Sequence, residues 1–404
     1  MLTIDLDRFK EVNDTLGHPC GDQILKETAV RLRALVDKSD VITRLGGDEF
    51  AVIQRGTGDA DAAAALAAGI IATLDRPFQF DGHTVVIGAS VGIALAPRDS
   101  GRDGTSGDEL LKMSDLALYR AKEETRGSYR FFERGMDARM QERRDIEGDL
   151  RIAIQEGQFE VHYQPLLDLA TGAITCFEAL VRWRHPTRGM LQPADFIPIA
   201  EESNLIIPIG EWVLRQACRD ASGWPDAMKV AVNLSPAQLK RGDLITVTVS
   251  ALTMAGLAPE RLELEITESV LLHDEAWVRT LLERLAALGV RIAMDDFGTG
   301  YSSLSYLRSF PFSKIKIDRS FVEGVVGHSD ALAIVQATIQ LSQKLGMETT
   351  AEGVETAEQL DLLIAEGCTH AQGFHVSRPV PAERIASLLV ELGAAPAWQA
   401  RAAG

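Results

Sequence analysis

Seven residues in the C-terminal two-thirds of the chain are out of place for a protein core. Glu178, Asn233, Glu265, Asp295, Asp296, Lys316 and Glu352 each lie within or at the end of a short apolar, β-branched run, and Gln372 lies in one more. A charge taken out of water must be compensated, so this many ionisable groups in separate strands would be costly as ordinary core. A cluster of hard oxygen ligands for Mg2+ or Mn2+ is the simpler account. The sharpest case is the stretch Val290-Arg-Ile-Ala-Met-Asp-Asp-Phe-Gly-Thr-Gly-Tyr301. Val290 to Met294 reads as a buried strand, Asp295 and Asp296 end it, and Gly298 and Gly300 break regular structure. Successive strand residues face opposite ways, so both carboxylates reach one ion only where the strand ends and the backbone turns. Taken alone, the pair is an ordinary loop start.

The runs that must position these residues are Phe159–Gln164, Ile174–Arg182, Lys229–Leu234, Arg261–Ile266, Val290–Met294, Lys314–Ile317, Glu348–Ala351 and His370–Phe374. Helical segments such as Ala276–Leu288 and Ala331–Leu345 alternate with them. Alternation over this length predicts an α/β fold, a TIM-like (β/α)8 barrel, whose strand-end residues converge at the C-terminal mouth. His162, His185 and His375 are scattered, and Trp212, Trp224 and Trp277 read as core or half-buried anchors.

The N-terminal third has its own chemistry. Leu2 to Asp5 reads as the end of a strand, followed by Asp7, Asn13, Gly17 and His18. Asp22 stands where a helix N-cap belongs, ahead of the helical spacing from Gln23 to Val36. Val41–Leu45 and Phe50–Ile53 read as a hairpin around Gly46 and Gly47, which accept positive φ and let a ligand approach the backbone. Asp48 and Glu49 at that tip, with Asp5, form a second candidate site for a divalent metal. Thr84–Ile87 and Ser90–Ala94 read as a further strand pair, and Glu109–Thr125 as a helix closed by Gly127. Lys122 and Arg126, four apart, are expected on one helical face where they would grip phosphates.

Residues 145–392 resemble the EAL family of cyclic-di-GMP phosphodiesterases. The resemblance rests on Tyr163-Gln-Pro, Glu178-Ala-Leu-Val-Arg182, Trp183-Arg-His-Pro186, Asn233-Leu-Ser235, Glu265-Ile-Thr-Glu268, Asp295-Asp-Phe-Gly-Thr-Gly-Tyr-Ser-Ser303, Lys316-Ile-Asp318 and Glu352-Gly-Val-Glu355, all in order. It implies a barrel with one antiparallel strand and two Mg2+ or Mn2+ ions. Glu178, Asn233, Glu265 and Asp295 would hold the first; a bridging Asp295 and Asp296 would serve the second. By the same resemblance Glu352 is the general base and Lys316 orients the attacking water. Gln164, Leu180, Arg182, Glu355 and Gln372 are substrate contacts. Glu268 anchors the loop after Asp296, which through Ser303 also supports a homodimer.

Residues 1–134 resemble the GGDEF family of diguanylate cyclases, through Arg44-Leu-Gly-Gly-Asp-Glu-Phe50 with Asp5, Asn13, Gly17-His18 and Asp22 upstream. The resemblance implies that Asp5, Asp48 and the Leu6 carbonyl carry Mg2+, and that Glu49 serves the metal or the attacking hydroxyl. Asn13 and Asp22 would read guanine; Gly46 and Gly47 would border the nucleotide, and Lys122 and Arg126 would hold the GTP phosphates. Condensation of two GTP needs two such domains face to face. Two departures stand out. The family domain usually begins with a helix and a full first strand, so this half is expected to be incomplete and weakened. The family's inhibitory Arg-x-x-Asp window is Asp37-Lys-Ser-Asp40 here, which argues against feedback through that site.

Residues 135–156 read as a linker helix and 393–404 as a tail, around a barrel domain at 157–392. The net charge of −17 argues against non-specific binding to nucleic acid or anionic membrane. No apolar run approaches a membrane span, and Met1 opens no signal peptide. Cys20, Cys176, Cys218 and Cys368 form no CxxC pair, so a reduced, cytoplasmic protein is expected, with upstream segments left open. The leading expectation is a phosphodiesterase that hydrolyses cyclic di-GMP to pGpG, with a GTP-binding domain that regulates or synthesises. A bifunctional enzyme and a non-catalytic cyclic-di-GMP receptor are the alternatives.

Overall fold

The computed structural model describes residues 1–55, 59–80, 83–96, 99, 106–241, 243–268, 270, 275–298 and 304–393. Gly300, Tyr301, Ser303 and the tail from residue 394 lie outside them. The chain divides into two compact units, Met1–Arg144 and Asp145–Gly404. The boundary falls within the helix Met136–Glu156. Among the described residues no helix is long and apolar enough to cross a membrane, and all four cysteines are buried and unpaired with one another.

In the first unit a five-stranded sheet runs in the order Val41–Gly46, Glu49–Ile53, Leu2–Leu6, Ala89–Ile93, Tyr129–Phe131. Leu2–Leu6 is buried at every residue and antiparallel to both neighbours. Two readings of this unit need correction. Thr84–Ile87 and Ser90–Ala94 do not pair. His83–Val85 pairs with Phe78–Phe80 in a separate ribbon, whereas Ala89–Ile93, buried throughout, pairs with Leu2–Leu6. Asp22 is not an N-cap, because the helix His18–Leu35 starts earlier, with Pro19 in its first turn and Gly17 as the capping residue.

The second unit is a closed barrel. Its strands in chain order are Phe159–Asp168, Ile174–His185, Lys229–Leu234, Leu262–Thr267, Arg291–Phe297, Lys314–Ile317, Glu348–Ala351 and His370–Ala371. The second to eighth are parallel to one another. The first is antiparallel to both the second and the eighth, and closes the ring. The reason lies in the connection at residues 169–173, too short for a crossover helix. Asp168 Oδ1 caps that turn by accepting from the N–H groups of Ala170 and Thr171. The fifth strand runs past Met294 to Phe297, and the eighth stops at Ala371, so Gln372 follows it.

Outward-facing residues make an apolar shell. Tyr163, Phe177, Trp183 and Phe196 are fully buried in one core with the helix Ile206–Ser222. The Tyr163 hydroxyl donates to Asp220 at 2.6 Å. Residues just past the eighth strand pack on backbone rather than on side chains. A methyl group at Gly373 would lie 2.1 Å from the Val354 carbonyl oxygen and 2.3 Å from its nitrogen. Gly373→Ala is therefore expected to cost about 1–3 kcal/mol or more by overpacking. A urea midpoint equal to that of the parent would contradict this close approach.

Candidate active site

The barrel interior carries the polar layer that the strand ends predict. Cross-strand register aligns Gln164 with Glu178, Asn233 with Glu265, and Thr267 with Asp295. Asp295 and Asp296 escape strand alternation by a local distortion. Asp296 has φ +54°, and the register with the sixth strand shifts between Met294 and Phe297. The bend brings carboxylate oxygens of Asp295, Asp296 and Glu352 within 4.8 Å of one another. Glu268 Oε2 accepts from the Gly298 N–H at 3.4 Å, at the start of the loop.

Lys316 sits at the centre, with a side chain only 1 % exposed. Its Nζ lies 2.7 Å from Glu265, 2.6 Å from Glu352, 3.2 Å from Asp295 and 3.8 Å from Glu178. Beside it, Asn233 Nδ2 donates to Glu178 Oε1 at 2.6 Å, and Gln372 Nε2 donates to Glu178 Oε2 and to Gln164 Oε1. Arg182 is buried and its Nη1 donates to the Val181 carbonyl; Leu180 is half-buried, and Glu355 is exposed three residues past Glu352.

One ammonium cannot neutralise this many carboxylates. Burial pushes Glu265 well above the ordinary range; Lys316 opposes that, while Glu178 and Asp295 add to it. Burial also pushes Glu352 up to about 8, against Lys316 and with Asp295 and Glu178. Asp296 is raised by burial and then by Asp295. Burial would raise Glu178 too, but Lys316, Gln372 and Asn233 outweigh it and hold it low. Among the described residues, Glu265 Oε1 is buried with no hydrogen-bond partner. An orphaned carboxylate oxygen amid hard oxygen donors fits a divalent cation such as Mg2+ or Mn2+.

In the first unit Asp5 is in register with Glu49, and Lys122 Nζ lies 2.7 Å from Asp5. The Leu6 N–H donates to the Asp48 carbonyl at 3.4 Å. Burial raises Asp5; Lys122 opposes this, while Asp48 and Glu49 add to it. Asn13 packs on Gly21, next to Asp22: a Cβ at Gly21 would meet Asn13 Oδ1 at 2.1 Å. Gly47 has φ +50°, and space is open beside Gly46 and Gly47. Lys122 and Arg126 do not share a helical face, since the helix Gly107–Glu124 ends between them and Thr125 is extended. Two further residues acquire roles. Asp7, between Ser90 Oγ at 2.9 Å and the Gly127 N–H at 3.0 Å, ties the turn after that helix to the sheet. Asp40 accepts from the N–H groups of Asp37 and Arg55, so the Asp37–Asp40 window is a structural turn. Only the alternation of Asp5 with Asp7 hinted at the first.

The family model described as "EAL domain" matches residues 147–379, and that described as "Diguanylate cyclase, GGDEF domain" matches residues 1–128. An uncharacterized signaling protein of Caulobacter vibrioides is 52% identical, over 95% of this chain and 47% of its own. The bifunctional diguanylate cyclase/cyclic di-GMP phosphodiesterase MucR of Pseudomonas aeruginosa is 44% identical, over 95% of this chain and 56% of its own. A solved structure of the PaMucR phosphodiesterase in complex with c-di-GMP has 43% identity and a TM-score of 0.58, covering 60% of this chain and 99% of that one. The chain spans about half the length of the curated relatives it matches.

The crowded carboxyls make metal-free stability depend on pH. Glu265 and Glu352 stay protonated in the folded barrel where an unfolded chain, with Glu near 4.5, has released its protons. The folded state then binds more protons, so stability falls as pH rises from about 4.5 through about 8. A divalent cation held by these carboxylates would compete with those protons and should flatten the slope. Thermal melts in EDTA and in Mg2+ at about pH 5.5 and about pH 8 check this; an EDTA melting temperature that climbs over that interval would contradict it.

Proposed function

The chain belongs to the EAL family and carries a GGDEF domain ahead of its EAL domain, and from that premise we propose that the barrel hydrolyses cyclic di-GMP to linear pGpG. The observation that carries the reading is the convergence of Glu178, Glu265, Asp295 and Glu352 on one buried lysine. The cyclic-di-GMP complex of a relative with 43% identity supports the substrate class. Glu178, Asn233, Glu265 and Asp295 would hold one Mg2+ or Mn2+, and Asp295 and Asp296 the other. When bound, such a pair would supply activation of a water and charge stabilisation of the attacking and leaving oxygens. Around it, Gln164, Gln372, Leu180, Arg182 and Glu355 bind and orient the substrate, with Arg182 on phosphate. Water attacks phosphorus, its proton passes to Glu352, and one phosphodiester P–O bond breaks to open the ring, the leaving oxygen taking a proton from solvent to end as a hydroxyl. Lys316 orients the water and offsets charge on the phosphate. Glu268 steadies the loop after Asp296.

Glu352 lies as close to Asp295 and Asp296 as a shared ligand would, so base and ligand roles need separate readouts. Glu352→Gln should lower cyclic-di-GMP turnover by about 100-fold or more while leaving Mn2+ binding in place. Parent-like turnover would refute the mechanism, and lost Mn2+ binding would make Glu352 a ligand.

The GGDEF domain binds GTP in this reading. Asp5, Asp48 and the Leu6 carbonyl would carry its Mg2+, and Glu49 would serve the metal or the attacking hydroxyl. Asn13 and Asp22 would read guanine beside Gly46 and Gly47, with Lys122 and Arg126 on phosphate. The register of Asp5 with Glu49 behind the open Gly46–Gly47 tip favours a second activity, synthesis of cyclic di-GMP. GTP and Mg2+ supplied to the Glu352→Gln protein should then yield cyclic di-GMP, and no product would mean no cyclase. A homodimer is the expected working unit, to be checked by sedimentation with and without substrate.

A further inference from the structure

Directly beneath the cradle lies a second Glu–Lys pair of the same geometry. Lys314 Nζ is 2.7 Å from Glu263 Oε1, and Lys316 Nζ is 2.7 Å from Glu265 Oε2. Within each strand the two residues are separated by one intervening residue, so both side chains point to the same face. Glu263 is wholly buried and Lys314 is 1 % exposed. Both pairs span the fifth strand, and what they span there is small: Ala293 is in register with Glu265 on one side and Lys314 on the other, and is fully buried. A larger residue at that point would fill the space through which the pairs reach. The lower layer is also closed on itself. Arg291 is 3.4 Å from Glu263 and 2.6 Å from Glu348, which is in register with Lys314. Two acids and two bases on four consecutive strands offset one another, and Lys229 on the third strand acts on Glu263 as well. Burial would raise the Glu263 carboxyl, but Lys314, Arg291 and Lys229 together outweigh it and keep it below the ordinary range.

We infer that Glu263 and Lys314 are positioning residues for the divalent-cation cradle: their pair is a strut that fixes the spacing of the fourth and sixth strands beneath Glu265, Asp295 and Lys316. The inference rests on the metal-dependent reading of the barrel mouth. The strut touches neither metal nor substrate in that reading and acts through the residues above it. The strut's own two charges cancel, so its contribution is geometric. A buried ion pair is poor evidence for stability by itself, since replacing both partners with neutral residues of similar size is often tolerated. Its retention under a metal cradle is accounted for by placement. Groups that orient metal ligands commonly change affinity by about 10- to 100-fold when removed.

The test separates placement from folding. Lys314→Met alone leaves the buried Glu263 carboxylate with only the longer Arg291 contact and should lower the melting temperature in EDTA. Glu263→Gln with Lys314→Met removes both charges, leaves Arg291 an oxygen to bond, and should melt in EDTA close to the parent. That double variant is expected to bind Mn2+ about 10-fold or more weakly than the parent, by titration calorimetry without substrate. It should regain part of its turnover at raised Mn2+. Parent-like Mn2+ affinity in the folded double variant would overturn the inference. Because Mn2+ binding is read without nucleotide, a parent chain that binds Mn2+ but leaves cyclic di-GMP intact would count against the substrate assignment and not against the strut.

Discussion

Charge crowding is the constraint on which the barrel depends. Two like charges about 4 Å apart repel by about 4 kcal/mol at an effective dielectric of about 20. Glu178, Glu265, Asp295, Asp296 and Glu352 meet at one mouth with one ammonium among them. Such a set holds together only by keeping protons, by drawing in cations, or both. The raised Glu265 and Glu352 carboxyls reflect the first route, and Glu265 Oε1, without a hydrogen-bond partner among the described residues, leaves room for the second. The scaffold must resist this repulsion, which explains why the donors stand on strands locked in register rather than on loops.

Two local devices let a regular fold carry an irregular site. The left-handed turn at Asp296 puts consecutive side chains on one side, which a strand otherwise forbids. A non-glycine residue at positive φ is strained, and the surroundings must hold it there. The contact of Glu268 with the Gly298 N–H does so immediately downstream. The second device is the reversed first strand. Running against its neighbours, it offers Gln164 opposite Glu178 within the ring, so an amide can reach the carboxylate layer from both Gln164 and Gln372.

Much of this was legible in the sequence, for a physical reason. Acidic residues at the ends of apolar runs are rare unless something compensates them, so Glu178, Glu265, Asp295 and Glu352 announced a shared site from their strand positions. What stayed hidden was whatever depends on backbone detail. Periodicity cannot tell an antiparallel first strand from a parallel one; the short connection after Asp168 decides that. Nor can it show that the helix Gly107–Glu124 stops before Arg126, or that Pro19 starts a helix ahead of Asp22. The alternation Glu263-Leu-Glu265 and Lys314-Ile-Lys316 was on view, but only the registers through Ala293 reveal it as two stacked pairs.

The two sites place a lysine among acids in different ways, and the difference bears on what each lysine can do. Lys316 rises from the middle of a strand, is shut away from water, and is shared by four carboxylates at 3.8 Å or less. Buried and held by four carboxylates, it is a fixed part of the cradle. Lys122 stands on the last turn of a helix, 28 % exposed, with one carboxylate at 2.7 Å. Its head group is more open to water than that of Lys316, although Asp5 is itself buried. A GTP phosphate with its own Mg2+ would offer Lys122 a stronger partner than Asp5 and leave Asp5 to the metal. In the first unit the lysine keeps some contact with water and is held by a single acid, whereas in the barrel it is enclosed by four.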